Sequence, residues 1–160
     1  MVVKKSSLVG VMVLAFVVAV APVDSAAQAS PEEEAVIAVV NTLFDGMRAG
    51  DEQMILGTVA NGARLAMVSG DSVRYVDMSA FAANVAATER HLDERVWDFV
   101  IEIDASLASV WVKYDILIDG EFSHCGIDSF EMLMLNGEWK IVHLADTRRT
   151  GPDCWRYPGS

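Results

Sequence analysis

The chain has 160 residues, 52% of them hydrophobic and 22% charged, with a formal net charge of −11 and two cysteines. That balance describes one folded domain and excludes disordered, collagen-like and coiled-coil classes. The acidic surplus argues against nucleic acid and anionic lipid as partners, since both demand a cationic surface.

Lys4 and Lys5 precede an unbroken apolar or small run from Leu8 to Ala21, and Ala27-Gln28-Ala29 offers small residues where a signal peptidase reads them. This pattern is a secretory signal with cleavage expected after Ala29. The run is shorter than the roughly 20 residues of a spanning helix, and Pro22 and Asp24 end it. The expected organisation is a signal peptide over residues 1–29 and a single domain over 30–160, secreted or periplasmic and free of the membrane once cut. Loss of Lys4, Lys5 and Asp24 leaves the mature part at −12.

Ser30-Pro31-Glu32-Glu33 is a capping box with proline at the first helical position, and Val36, Val39, Val40, Leu43, Phe44 and Met47 follow at helical spacing. Gly50 ends this helix, Asp51 caps a shorter one through Val59, and Asn61-Gly62 closes that in turn. Short strands are expected over Arg64 to Val68 and Val73 to Val76, then a third helix from Ser79 to Arg90. From Arg95 the period changes to two, giving strands over Arg95 to Asp104, Leu107 to Leu117, Glu121 to Leu135 and Glu138 to Asp146. Tight turns at Ala105-Ser106, Asp119-Gly120 and Asn136-Gly137 make them an antiparallel meander, and the class is α+β with the helices on one sheet face.

Loop length sets register, and register sets which side chains face the helices. A two-residue Asn136-Gly137 loop pairs Leu135 with Glu138, Met132 with Ile141 and Phe130 with His143. The Ala105-Ser106 loop puts Trp97, Phe99, Ile101 and Ile103 beside Tyr114, Val112, Val110 and Ala108. These two halves agree on a common apolar face if Ile118-Asp119-Gly120 forms a three-residue loop with a glycine bulge, pairing Tyr114 with His124 and Val110 with Asp128. Tyr114, His124, Asp128 and His143 then lie on the inner face, where each needs a hydrogen-bond partner, water or a cavity. Asp128 lies diagonal to His143, within reach of a carboxylate-imidazole pair.

Phe44-Asp45-Gly46-Met47 through Gly50-Asp51, His124-Cys125-Gly126-Ile127-Asp128-Ser129-Phe130, and Asn136-Gly137-Glu138-Trp139-Lys140-Ile141 give the chain a resemblance to the nuclear transport factor 2-like superfamily over residues 32 to 149. It is most similar to the small exported SnoaL-like and “putative lumazine-binding” members. The resemblance implies a cone-shaped barrel of N-terminal helices packed on a bent antiparallel sheet, and a homodimer through the outer sheet face. It selects no reaction: the superfamily holds isomerases, dehydratases, cyclases and epoxide hydrolases beside non-catalytic binding and assembly modules.

Three function readings follow. The first is a small-molecule-binding domain whose pocket is lined by Trp97, Tyr114, His124, Asp128, Phe130 and His143, with flat walls for an apolar or aromatic ligand. The second is a cofactor-free lyase, isomerase or cyclase using Asp128 with His143 or Tyr114 as acid and base. The third is an interaction or assembly module with a filled cone. No cofactor-binding glycine loop, His-x-His, His-Glu-x-x-His or Cys-x-x-Cys occurs, so neither a cofactor nor a metal is expected. His91 reads as a helix-terminal, solvated residue, and Arg148-Arg149 either meets an acidic ligand near the rim or offsets local negative charge. Cys125 and Cys154, an even pair in an exported chain, are expected to form a disulfide that folds the tail back over the outer face.

Overall fold

The computed structural model describes residues 29–159, and the signal features around Lys4, Lys5 and Leu8 to Ala21 lie outside the described residues. Helix α1 spans Pro31–Ala49, and its capping box forms as the sequence requires: Glu33 N–H donates to Ser30 Oγ at 3.2 Å while Ser30 N–H donates to Glu33 Oε2 at 2.6 Å. Gly50 ends it with φ 63°, a conformation that costs a side-chain-bearing residue energy. Asp51 caps α2, Glu52–Thr58, by accepting from Met54 N–H at 3.0 Å. Among the described residues, no helix is long and apolar enough to cross a membrane.

Strand β1, Val59–Ser69, starts well before Arg64, because Val59 pairs with Ile141 ahead of the irregularity that contains Asn61-Gly62. Strand β2 is Ser72–Asp77, and α3 is Met78–Ala87, shorter than the expected Ser79 to Arg90 span at its C-terminal end. The meander follows as β3, Leu92–Asp104; β4, Leu107–Ile118; β5, Glu121–Leu135; and β6, Glu138–Thr147. The sheet order is β2-β1-β6-β5-β4-β3, with β1 parallel to β6 and all other pairs antiparallel. The α+β class and the meander are as expected, while the parallel β1–β6 closure was not visible in the pattern. Apolar residues of α1, among them Val36, Val40, Leu43 and Phe44, fill the concave face against Val110, Val112, Phe130, Met132 and Ile141. Phe44 meets Phe130 edge to face, with ring centroids 6.2 Å apart.

Three β-bulges interrupt the meander β3–β6, and they correct the simple register. Between Trp97 and Val100 the β3–β4 ladder slips, with Asp98 at φ 55°, so Val96 rather than Trp97 lies opposite Tyr114. Asp119-Gly120 is a two-residue turn with both residues at positive φ, pairing Ile118 with Glu121, so the three-residue loop is not formed. The inner-face parity is restored instead at Ser123, where the partner of Ile116 becomes His124 and that of Tyr114 becomes Gly126. On β6, the ladder steps from Met132↔Ile141 to Glu131↔His143 around Val142, so Leu144 and not His143 lies opposite Phe130.

The convex face is partly covered by the chain's own end. Cys125 and Cys154 form the expected disulfide, with Cα atoms 5.8 Å apart. Cys125 sits opposite Arg149, bonded by main-chain contacts of 3.1 and 2.9 Å, one residue beyond the partner that a β5–β6 ladder without the bulge at Val142 would give it. Beyond it Trp155 Nε1–H donates to Tyr114 O at 3.0 Å and Tyr157 N–H to Asp115 Oδ2 at 3.0 Å. Asp115 is fully buried and accepts from Arg95 Nε and Nη2 at 2.8 and 2.6 Å, so its charge is matched by a planar two-point partner.

Candidate functional site

The concave face opens into a cavity of about 630 Å³ beside β1 and β2. Phe44, Met47, Leu65, Phe81, Ile116 and Leu144 give it apolar walls, Glu94, Tyr114, His124 and Asp128 face it from the meander, and Arg74, Asp146 and Arg148 also line it.

Tyr114 owes its position to a glycine. Gly126 is its cross-strand partner, and a Cβ there would lie 2.6 Å from Tyr114 Cε1 and would collide with the Thr147 carbonyl. With no side chain in the way, the tyrosine ring crosses β5 and its hydroxyl donates to Thr147 O at 2.9 Å. That proton is committed to the main chain. Burial, then the fields of Glu94 and Asp128, push the phenol far above its ordinary range, so it stays neutral.

Asp128 is 2% exposed and sits between Val112 and Asp146 in the ladder. No hydrogen-bond partner reaches its Oδ2 among the described residues as the side chains stand. Its carboxyl interacts with that of Glu94, which comes from β3 two strands away because the sheet curls. Two carboxyls in contact in a desolvated site share a proton more readily than both ionise. Burial pushes Asp128 well above the carboxylate range, with the charges of Glu94 and Asp146 adding to the effect. Burial likewise pushes Glu94 up, to about 8, with Asp146 adding and the hydrogen bond to Asp128 opposing. Asp146 is raised by burial and pulled back by Val68 N–H, which it accepts at 3.2 Å, and by Arg148 and Arg74.

His124 is held down to about 4 by burial and by Arg148, so it is a neutral imidazole. Its Nδ1 lies 2.9 Å from Ser123 Oγ and its ring stands edge-on to Tyr114 at 5.8 Å.

Of the residues expected to line the site, Tyr114, His124 and Asp128 therefore do so. Phe130 faces inward but is sealed in the core. Trp97 is turned outward by the Asp98 bulge and packs against Tyr157 at 5.7 Å. His143 is turned outward by the Val142 bulge, opposite exposed Glu131, so the Asp128–His143 pair does not form. Glu94 and Asp146 were missed. The signal for Glu94 was the second alternation, Leu92-Glu94-Val96, which joins Phe99-Ile101-Ile103 on one face only across a bulge. The signal for Asp146 was Leu144, whose apolar side chain marks the inner phase. Among the described residues, no group of three His, Cys, Asp or Glu side chains is arranged to hold a metal ion.

The same architecture recurs among solved structures at low identity. An NTF2-like protein from Cytophaga hutchinsonii superposes with a TM-score of 0.66 at 13% identity, covering 75% of this chain and all of that one. An NTF2-like protein of unknown function from Shewanella baltica gives 0.59 at 16%, covering 75% and 95%. A structure described as “Putative Scytalone Dehydratase”, from Novosphingobium aromaticivorans, gives 0.63 at 8%, covering 74% and 85%. These likenesses show the fold alone. No curated protein matches the sequence. A family profile does, over residues 31–145, a stretch that runs from the first residue of α1 into β6 and takes in Glu94, Tyr114, His124 and Asp128 of the concave face. On that match the chain, NTF2-like in fold, belongs to the family described as “Putative lumazine-binding”.

Proposed function

We propose that this chain is an exported small-molecule-binding domain whose ligand sits in the concave cavity. One observation carries the reading: a cavity of about 630 Å³, walled by apolar side chains, holds a buried carboxyl oxygen, Asp128 Oδ2, with no partner among the described residues. Cavities that hold small ligands commonly span roughly 300–1,000 Å³ and pair apolar walls with a few convergent polar groups. A filled cone would leave no such volume, so assembly alone is a poorer fit. The Cys125–Cys154 bond supports a compartment outside the reducing cytosol, where the amino-terminal signal would deliver the chain.

The test is native mass spectrometry of the protein purified from the exported fraction of its own host. A bound small molecule that is released on denaturation is the expected result. The Leu144→Trp variant, which fills the cavity, should carry none. Apo mass alone for the native protein would sink the proposal.

The Glu94–Asp128 contact favours one second reading, a cofactor-free lyase, isomerase or cyclase. In it, the two buried carboxyls hold one proton between them: the ionised member accepts a substrate proton, and the protonated member steadies it or donates to a developing oxyanion. It differs from the Asp–His or Asp–Tyr chemistry expected from sequence, because His143 faces outward and the Tyr114 proton is engaged. Asp128→Asn should abolish conversion of a recovered ligand while retaining its binding.

A further inference from the structure

The described residues contain ten lysines and arginines, and their partners divide them sharply. Arg48, Arg64, Arg90, Arg95, Lys113 and Lys140 are each in an ion pair. Arg149 lies over the Trp155 ring at 4.1 Å and Arg156 over Phe122 at 3.1 Å. The remaining two, Arg74 and Arg148, make no ion pair among the described residues, and both line the same cavity. Arg74 reaches only the Met67 sulfur, at 2.8 Å, a weak acceptor. Arg148 is anchored by its main chain, N–H to Val68 O at 3.1 Å, with its side chain exposed.

In a chain with 23 acidic and 12 basic residues, unpaired guanidinium groups converging on one opening need a reason. Asp146 is the carboxylate whose charge both arginines influence, and one of its oxygens is already engaged by Val68 N–H. Two positive charges facing one negative leave the mouth with a cation in excess. The deeper groups have the opposite character. Glu94 and Asp128 are acids, His124 is neutral, and Asp128 Oδ2 lacks a donor. Acids that burial keeps protonated offer an anion no positive charge to bind, whereas an N–H or O–H group would satisfy the orphaned oxygen.

We infer that the cavity takes an amphiphile of fixed polarity, with an anionic group, carboxylate, sulfonate or phosphate, held by Arg74 and Arg148 and a hydrogen-bond donor held by Asp128. This rests on the proposal that the cavity is a ligand site, and it adds the class of ligand and its orientation.

Two fluorescent probes separate the two claims. The anion 1-anilinonaphthalene-8-sulfonate and uncharged N-phenyl-1-naphthylamine share rings and N–H and differ by the sulfonate. Titrated against the full mature chain with its disulfide intact, the sulfonate should bind about tenfold tighter, the size of a charge-assisted hydrogen bond. The Arg74→Gln/Arg148→Gln variant should lose that preference and keep its affinity for the naphthylamine. Asp128→Leu should weaken both probes by about fivefold with their ratio intact, as expected for one lost hydrogen bond. Leu144→Trp should lose both.

Equal binding of the two probes by the native chain, or a preference that survives removal of both arginines, overturns the inferred polarity while the ligand site stands. Unchanged affinities in Asp128→Leu overturn the donor end. Failure of both probes to bind the native chain, or retention of both by Leu144→Trp, overturns the inference together with the ligand site.

Discussion

The burial of Glu94, reinforced by the charge of Asp146, makes stability depend on pH in a direction opposite to that of most carboxylates. Glu94 has an ordinary value of 4.5 and is pushed up to about 8 in the folded chain. Between those limits the folded state holds a proton that the unfolded state has released, so stability falls as pH rises. His124 acts with the other sign: held down to about 4 from 6.5, it lowers stability as pH falls through that interval. Above pH 6.5 the histidine is neutral in both states, which leaves the window from 6.5 to 8 for the acid. One proton across that window, at about 1.4 kcal/mol per pH unit, amounts to about 2 kcal/mol. Glu94→Gln removes the Glu94 titration and leaves the buried Asp128 and Asp146 in both proteins, so the difference between the two reports Glu94. Urea unfolding followed by tryptophan fluorescence, on both proteins at half-unit steps from pH 6 to 8.5, measures the difference directly. The native chain should lose about 2 kcal/mol relative to Glu94→Gln between pH 6.5 and 8. Stability curves that run parallel across that interval would refute the idea that Glu94 holds a proton in the folded site.

Two further outcomes test the scaffold around the site. Gly126→Ala places a methyl group against the Thr147 carbonyl and the Tyr114 ring, so it should lower stability by about 3 kcal/mol and displace the tyrosine, read as a lost near-ultraviolet circular dichroism signal. An unaltered unfolding midpoint would mean that the close passage of these strands is not maintained in solution. Cys154→Ala opens a bridge between residues 29 apart in sequence. It should cost about 3–4 kcal/mol by chain-entropy reasoning and make the bond after Arg149 a faster target for trypsin. Equal urea midpoints and cleavage rates would show that the tail is held without it.

Much of the fold was legible because local chemistry and global packing agreed. The Ser30 capping box, the apolar stripe from Val36 to Met47 and the Asn136-Gly137 turn each demand one conformation, and each adopts it. The site was legible only where alternation continued without interruption. His124 and Asp128 were placed inward correctly, but through a bulge at Ser123 rather than a longer turn. Trp97 and His143 were placed inward wrongly because a bulge inserts one residue and reverses everything beyond it. Asp98 and Val142 carry little local sign of that insertion: an aspartate tolerates positive φ without requiring it, and valine is an ordinary strand residue. The parallel β1–β6 pairing joins segments some 80 residues apart, and nothing in either strand names the other.

The carboxyl-terminal segment has a bearing on self-association. By laying Trp155 and Tyr157 across β4 it roofs part of the convex surface through which a homodimer was expected, and the roof is covalently fastened. What stays bare on the same side of the sheet is the strip holding Val100, 60% exposed, and Trp111, 53% exposed. A twin docking on this sheet would have to land on that strip or press on Trp155 and Tyr157 of the other molecule, so these residues would act as a spacer between two copies.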